Sequence, residues 1–153
     1  MAVAALSVVK GARAPRSPRR ISWEVCLKLL GGASAGHLAL SQGALPLVVP
    51  VSCAICGGQV LVRAGLGPLG AVLGQVGVVA FQTAVTSPDG DARWEIIVQG
   101  RAESVSGRGR ALPPPLDLVP DHATAVLAVD MELVTGWEYA AAEKAGTSIG
   151  RKQ

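Results

Sequence analysis

Between Leu45 and Ile55 the chain is apolar at every second residue: Leu45, Leu47, Val49, Val51, Cys53 and Ile55 recur, and Gly57-Gly58 then leads into a second run, Gln59 to Arg63. A period of two puts alternate side chains on opposite faces of a strand, and no helix can use it. Two consecutive glycines are the residues a tight two-residue hairpin asks for, so the two runs are expected to be antiparallel neighbours. The same alternation returns elsewhere. Leu38 and Leu40 mark an earlier strand, and Val76 to Val85 marks a later one that ends at the turn chemistry of Ser87-Pro88-Asp89-Gly90-Asp91. Next, Trp94, Ile96 and Val98 oppose Glu95, Gln99, Arg101 and Glu103 on a half-buried strand. Beyond Pro113-Pro114-Pro115, the residues Ala125, Leu127, Val129, Met131 and Leu133 alternate in a sixth strand that reaches Trp137. Helix is scarce. Ser22 is placed to cap Trp23 to Leu30, with Glu24 in the first turn and Gly31-Gly32 as the stop, and Ala64 to Gln75 is a Gly-rich connection with room for one helical turn. Six short strands with this punctuation predict a mostly β fold, a small barrel.

With 153 residues, half of them hydrophobic, the chain suits one domain with a real core. A mean hydropathy of +0.41 raises the question of a membrane protein. No run approaches the roughly 18 to 20 uninterrupted apolar residues that a spanning helix needs. The net charge of +3 comes from one segment, because Lys10, Arg13, Arg16, Arg19 and Arg20 precede Ile21 and beyond it nine basic residues face eleven acidic ones. No basic stripe with interleaved aromatics remains to read nucleic acid. Residues 1–21 are expected to be a flexible basic tail, 22–139 the folded domain and 140–153 a C-terminal tail. The ten arginines against four lysines and the absence of Asn suggest a GC-rich, bacterial genome. An odd count of three cysteines with no secretory signal ahead of them points to a reducing, cytoplasmic setting.

Several motifs offer chemistry, and each has a plainer reading. Gly65-Leu66-Gly67-Pro68-Leu69-Gly70 matches G-x-G-x-x-G, with Asp89 and Asp91 downstream. The glycines and Pro68 leave no room for the long crossover helix of a dinucleotide fold. The glycines can still bring backbone N–H groups to a phosphate, with Arg63 as counter-charge. Cys53 and Cys56 form a C-x-x-C that Cys26 and His37 would complete as a zinc set, yet residues three apart on a strand point to opposite faces. Core thiols are the plainer reading, and no metal is expected. The only histidines are His37 and His122, and no G-x-S-x-G surrounds any serine, which disfavours a hydrolase. Asp130 and Glu132, two apart, read as solvated carboxylates before they read as a catalytic pair.

Taken in order, these segments resemble the pyridoxamine 5'-phosphate oxidase-like family of flavin-binding split barrels. The resemblance rests on Glu24-Val25-Cys26-Leu27, Gly36-His37-Leu38-Ala39-Leu40, Pro46 to Val51 and Val60 to Gly65, followed by Val78 to Gln82, Trp94 to Glu103 and Leu133 to Trp137. It covers about residues 22–139, and its specificity lies in the order and spacing of the segments. It implies a six-stranded split β-barrel with short flanking helices, a homodimer, and FMN in a groove at the subunit interface. The flavin phosphate would lie against Arg63, Ala64, Gly65 and Gly67, and the ring along Pro50, Val51, Ser52 and Cys53. Trp94 and Glu95 would approach from the facing surface. Hydride or electron transfer to a small-molecule substrate is the implied activity, with no catalytic side chain assigned. Many relatives carry a Ser-Lys pair after the third strand, whereas this chain has Pro68-Leu69 and no Lys between Lys28 and Lys144. That departure leaves a deazaflavin, a haem or a non-catalytic binding dimer open as alternatives.

Overall fold

A computed structural model of the chain describes residues 17–65, 77–105, 112–113, 116 and 124–140. Helix α1 (Trp23–Leu30) starts where the sequence places it, with the Ser22 hydroxyl accepting from the Val25 N–H at 3.3 Å. The strands are β1 (Arg19–Arg20), β2 (Ala35–Gln42), β3 (Leu45–Cys56), β4 (Gln59–Gly65), β5 (Val78–Thr86), β6 (Ala92–Ser104), β7 (Thr124–Asp130) and β8 (Leu133–Ala140). Gly57 and Gly58 both take positive φ, 59° and 76°, so the β3–β4 hairpin is the two-residue turn that only glycine-like residues form cheaply.

Six strands close on themselves. In the order β2, β3, β4, β7, β6 and β5, each pairs antiparallel with the next and β5 returns to β2. The long β6 makes the barrel a split one: Ala102 to Ser104 pair with β7, while Ala92 to Gln99 pair with β8 on that same edge. The sixth strand expected from the sequence is therefore two, broken at Met131-Glu132. The break has a local cause. A Cβ at Gly100 would overlap the Asp130 carbonyl oxygen, so the β7 chain crosses β6 at a residue without a side chain. There the Glu132 carboxylate accepts the Arg101 N–H at 3.0 Å, and Asp130 accepts from the Gln59 amide at 2.7 Å. The two acids thus secure the split.

The inward positions of the alternating runs fill the barrel: Leu38, Val51, Val62, Phe81, Ile96 and Leu127 are among its buried residues, joined by Cys26 and Leu30 of α1. Removing a side chain the size of Leu or Phe from water contributes about 1.5–3 kcal/mol. A second buried cluster, with Leu61, Val105, Leu116 and Val126, lies on the outer face of β3, β4 and β7. Cys53 belongs to the first cluster and Cys56 packs against the second, the opposite facing expected of residues three apart.

Part of the stretch read as a tail is tied down. Arg19 and Arg20 pair with Glu138 and Trp137 of β8, and the Ile21 N–H donates to the Gly136 carbonyl at 3.0 Å. Residues 1–16 and 141–153 lie outside the described residues. Among those described, no helix is long and apolar enough to cross a membrane.

Candidate functional site

On the outer face of the barrel, β2, β3, β4 and β5 border a cavity of about 660 Å³. That size is within the range of small-molecule and cofactor sites. Strand register assembles it. Ser52 of β3 stands between Ala35 of β2 and Arg63 of β4, and His37 of β2 stands between Pro50 and Gln82 of β5. Outward-facing residues of four neighbouring strands are thereby collected on one patch, although they come from segments 45 residues apart in sequence.

Arg63 is the unusual member. It is 4% exposed, and its Nη1 donates to the Leu116 backbone carbonyl. A buried cation is costly unless it is hydrogen-bonded or paired, and Arg63 places that charge in the wall of the cavity. Arg93, at the start of β6, supplies a second cation from the other side. Its Nη2 lies 2.9 Å from Glu95 Oε1, with the Arg93 side chain 55% exposed, so the pair is in contact with solvent and easily rearranged. His37 Nδ1 and Gln82 Oε1 are 3.4 Å apart. In the tautomer with a proton on Nδ1, the imidazole donates to Gln82 and leaves Nε2 as an acceptor. The Thr83 hydroxyl is engaged on the Ala35 carbonyl at 2.8 Å and fixes β5 against β2 beneath the cavity.

Of the residues singled out from the sequence, Pro50, Val51, Ser52, Arg63, Ala64 and Gly65 line this cavity together. Cys53 faces the barrel core at 0% exposure, and burial pushes its thiol pKa up to about 11. Glu95 reaches the cavity only through Arg93. Trp94 lies on the opposite side of β6, where its indole N–H donates to Glu138 Oε1 at 3.1 Å. Gly67 lies outside the described residues. Sequence reasoning passed over Arg93, Gln82 and Thr83, and it weighed His37 only as a metal ligand or base. Arg93 had a legible signal: it precedes Glu95 by two residues and so shares its face.

Comparison with known proteins follows the same lines. The model of the pyridoxamine 5'-phosphate oxidase family matches residues 22–137. A candidate pyridoxamine 5'-phosphate oxidase from Corynebacterium glutamicum superposes with a TM-score of 0.65 at 17% identity, covering 84% of this chain and 98% of that one. An FAD-binding protein from Mesorhizobium loti gives 0.59 at 22% identity, and an FAD-binding protein from Mycobacterium smegmatis 0.57 at 20%. Each of the two covers 79% of this chain and 97% of its own. At these identities the solved structures speak for the fold. No curated protein matches the chain in sequence. The family model covers most of the chain, whose strands close into a split barrel: this protein belongs to the pyridoxamine 5'-phosphate oxidase family.

Proposed function

We propose that the chain binds a flavin, FMN in the first instance, in the outer cavity of β2 to β5 and serves as an oxidoreductase on a small-molecule substrate. The observation that carries this reading is the convergence of Arg63 and Arg93 on one cavity. A flavin phosphate needs cations, and the lysine that many relatives supply after the third strand is missing. In this reading Arg93, which lines the same cavity, takes that role from β6. Guanidinium groups suit a phosphate because they bind it through two parallel N–H donors. The residues present therefore fit the phosphate half of a flavin. FAD shares that half, and the Mesorhizobium and Mycobacterium proteins bind it.

A bound flavin supplies hydride and electron transfer at its ring. The chain's own residues bind and orient. Arg63, fixed by Leu116, holds charge at a set place, and the exposed Arg93 closes on it by leaving Glu95. Ser52 offers a hydroxyl on the strand between them, and His37, oriented by Gln82, can hold or release a proton at Nε2. Pro50 gives the cavity an apolar surface against which a flat ring can lie, and the backbone of Val51 and Ser52 edges it. The cavity is on the outer face of the sheet, and Val48, two residues from Pro50, is 62% exposed. A second copy of the chain covering this face would exclude water from the site, which is the homodimer of our reading.

The activity is tested by loading the chain with FMN under anaerobic conditions and following oxidation of a nicotinamide donor. Oxidation faster than free FMN sustains supports an enzyme. Tight flavin binding without turnover by nicotinamide or artificial donors would leave a cofactor-binding dimer instead.

A further inference from the structure

A second cavity, of about 720 Å³, lies on the other side of the β5–β6 hairpin. Val85 and Trp94 line it, while their chain neighbours Ala84 and Arg93 line the first, as the alternation of strand side chains requires. Its remaining walls come from α1, the β1 segment that precedes it and Glu138 of β8, with Ile21, Val25 and Leu29 as apolar surface and Arg19, Arg20 and Lys28 as cations.

The charges here are unevenly satisfied. Glu138 neutralises Arg19, whose Nε and Nη2 both reach Oε2, at 3.1 and 2.5 Å, and its other oxygen accepts the Trp94 indole N–H. That arrangement fixes the Trp94 ring. Arg20 and Lys28 have no counter-ion among the described residues. Outside the described residues the chain carries three acids, Asp117, Asp121 and Glu143, against eight cations. Arg20 lines the cavity from β1, where it pairs with Trp137 of β8 just ahead of α1.

We propose that this cavity is a second binding site, taking a small aromatic acid whose flat body lies against Trp94, Val85 and Leu29 and whose carboxylate or phosphate meets Arg20 and Lys28. The pairing follows from the chemistry of the walls. An aromatic ring gains from a fixed indole and aliphatic neighbours, and an anion gains charge-assisted hydrogen bonds from a guanidinium and an ammonium that no acid among the described residues neutralises. Neither half of the cavity suits a neutral sugar or a cation. The site is separate from the flavin cavity, and the proposal does not rest on flavin binding.

The test uses the full chain, nitrogen-15 labelled, with the Trp94 indole N–H resonance identified by its loss in Trp94→Phe. Phenyl phosphate, benzoate, phenol and inorganic phosphate are titrated separately. A saturable shift with phenyl phosphate or benzoate and none with phenol is expected, and whichever anion binds names the acid. Arg20→Gln and Lys28→Gln, both at exposed side chains, should each weaken binding about tenfold, while Arg93→Gln should leave it unchanged. No shift at millimolar ligand overturns the proposal. So does equal binding by the charge variants, or equal binding of inorganic phosphate, which would make this a site for an adventitious ion only.

Discussion

Arg63 donates from Nη1 to the backbone carbonyl of Leu116, so the cation in the wall of the outer cavity also ties the segment beyond β6 to the barrel. Removing the side chain therefore has two consequences. In Arg63→Ala the buried Leu116 carbonyl loses its partner, and stability should fall by about 1–3 kcal/mol in chemical denaturation. Flavin affinity should fall by about 1.5–3 kcal/mol, the range for a hydrogen bond to a charged group, in a titration of the folded variant. Arg63→Lys separates the two effects, keeping the charge while losing the planar fork.

Arg93 and Glu95 make the opposite case. Their ion pair is in contact with solvent, so Arg93→Gln should change stability by less than about 1 kcal/mol. The same change should weaken flavin binding clearly. Glu95→Gln removes the competitor for the Arg93 guanidinium and should tighten flavin binding. The pair of titrations, with opposite signs expected, checks whether Arg93 reaches the phosphate.

Two glycines are required by contact with backbone atoms. A Cβ at Gly36 would meet the Gln82 carbonyl oxygen and lie 2.6 Å from Phe81 Cε2, and one at Gly100 would overlap the Asp130 carbonyl. Backbone atoms cannot give way as a side-chain end does. Gly36→Ala and Gly100→Ala should each cost about 3 kcal/mol, the upper range for overpacking, while Gly65→Ala, which meets nothing within 4 Å, should be close to neutral. Thermal unfolding of the three variants checks the ranking.

Burial raises the Cys53 thiol pKa to about 11 from an ordinary value near 9. The folded chain keeps this proton where the unfolded chain has lost it. The stability that this group contributes is thus fully present below pH 9 and lost as pH rises through about 11. Cys53→Ala should flatten stability against pH over that window. Burial also raises the Cys26 thiol, so a thiol reagent at neutral pH should label the half-buried Cys56 first.

The alternating runs made most of the fold legible before any coordinates. Val49, Val51 and Cys53 face inward as their period requires, the Gly57-Gly58 turn sets the β3–β4 register, and Ser22 caps α1. What local patterning could not show was long-range contact. The break between β7 and β8 depends on Gly100 meeting Asp130, and the alternation of Val129, Met131 and Leu133 passes through it unmarked. The candidate site was legible in half. Ser52 and Arg63 lie on adjoining strands of one hairpin, whereas His37, Gln82 and Arg93 join them only through register between distant segments. Trp94 went elsewhere because β8 offers its indole N–H a partner in Glu138.

In the function proposed above, the cavity of Arg63 and Arg93 holds a flavin. This is tested most directly by the visible absorption spectrum of the purified chain, followed by titration with FMN and FAD while tryptophan emission is recorded. The expected result is a yellow protein, or saturable stoichiometric binding of a flavin that weakens in Arg93→Gln. A colourless protein that binds neither flavin would contradict it.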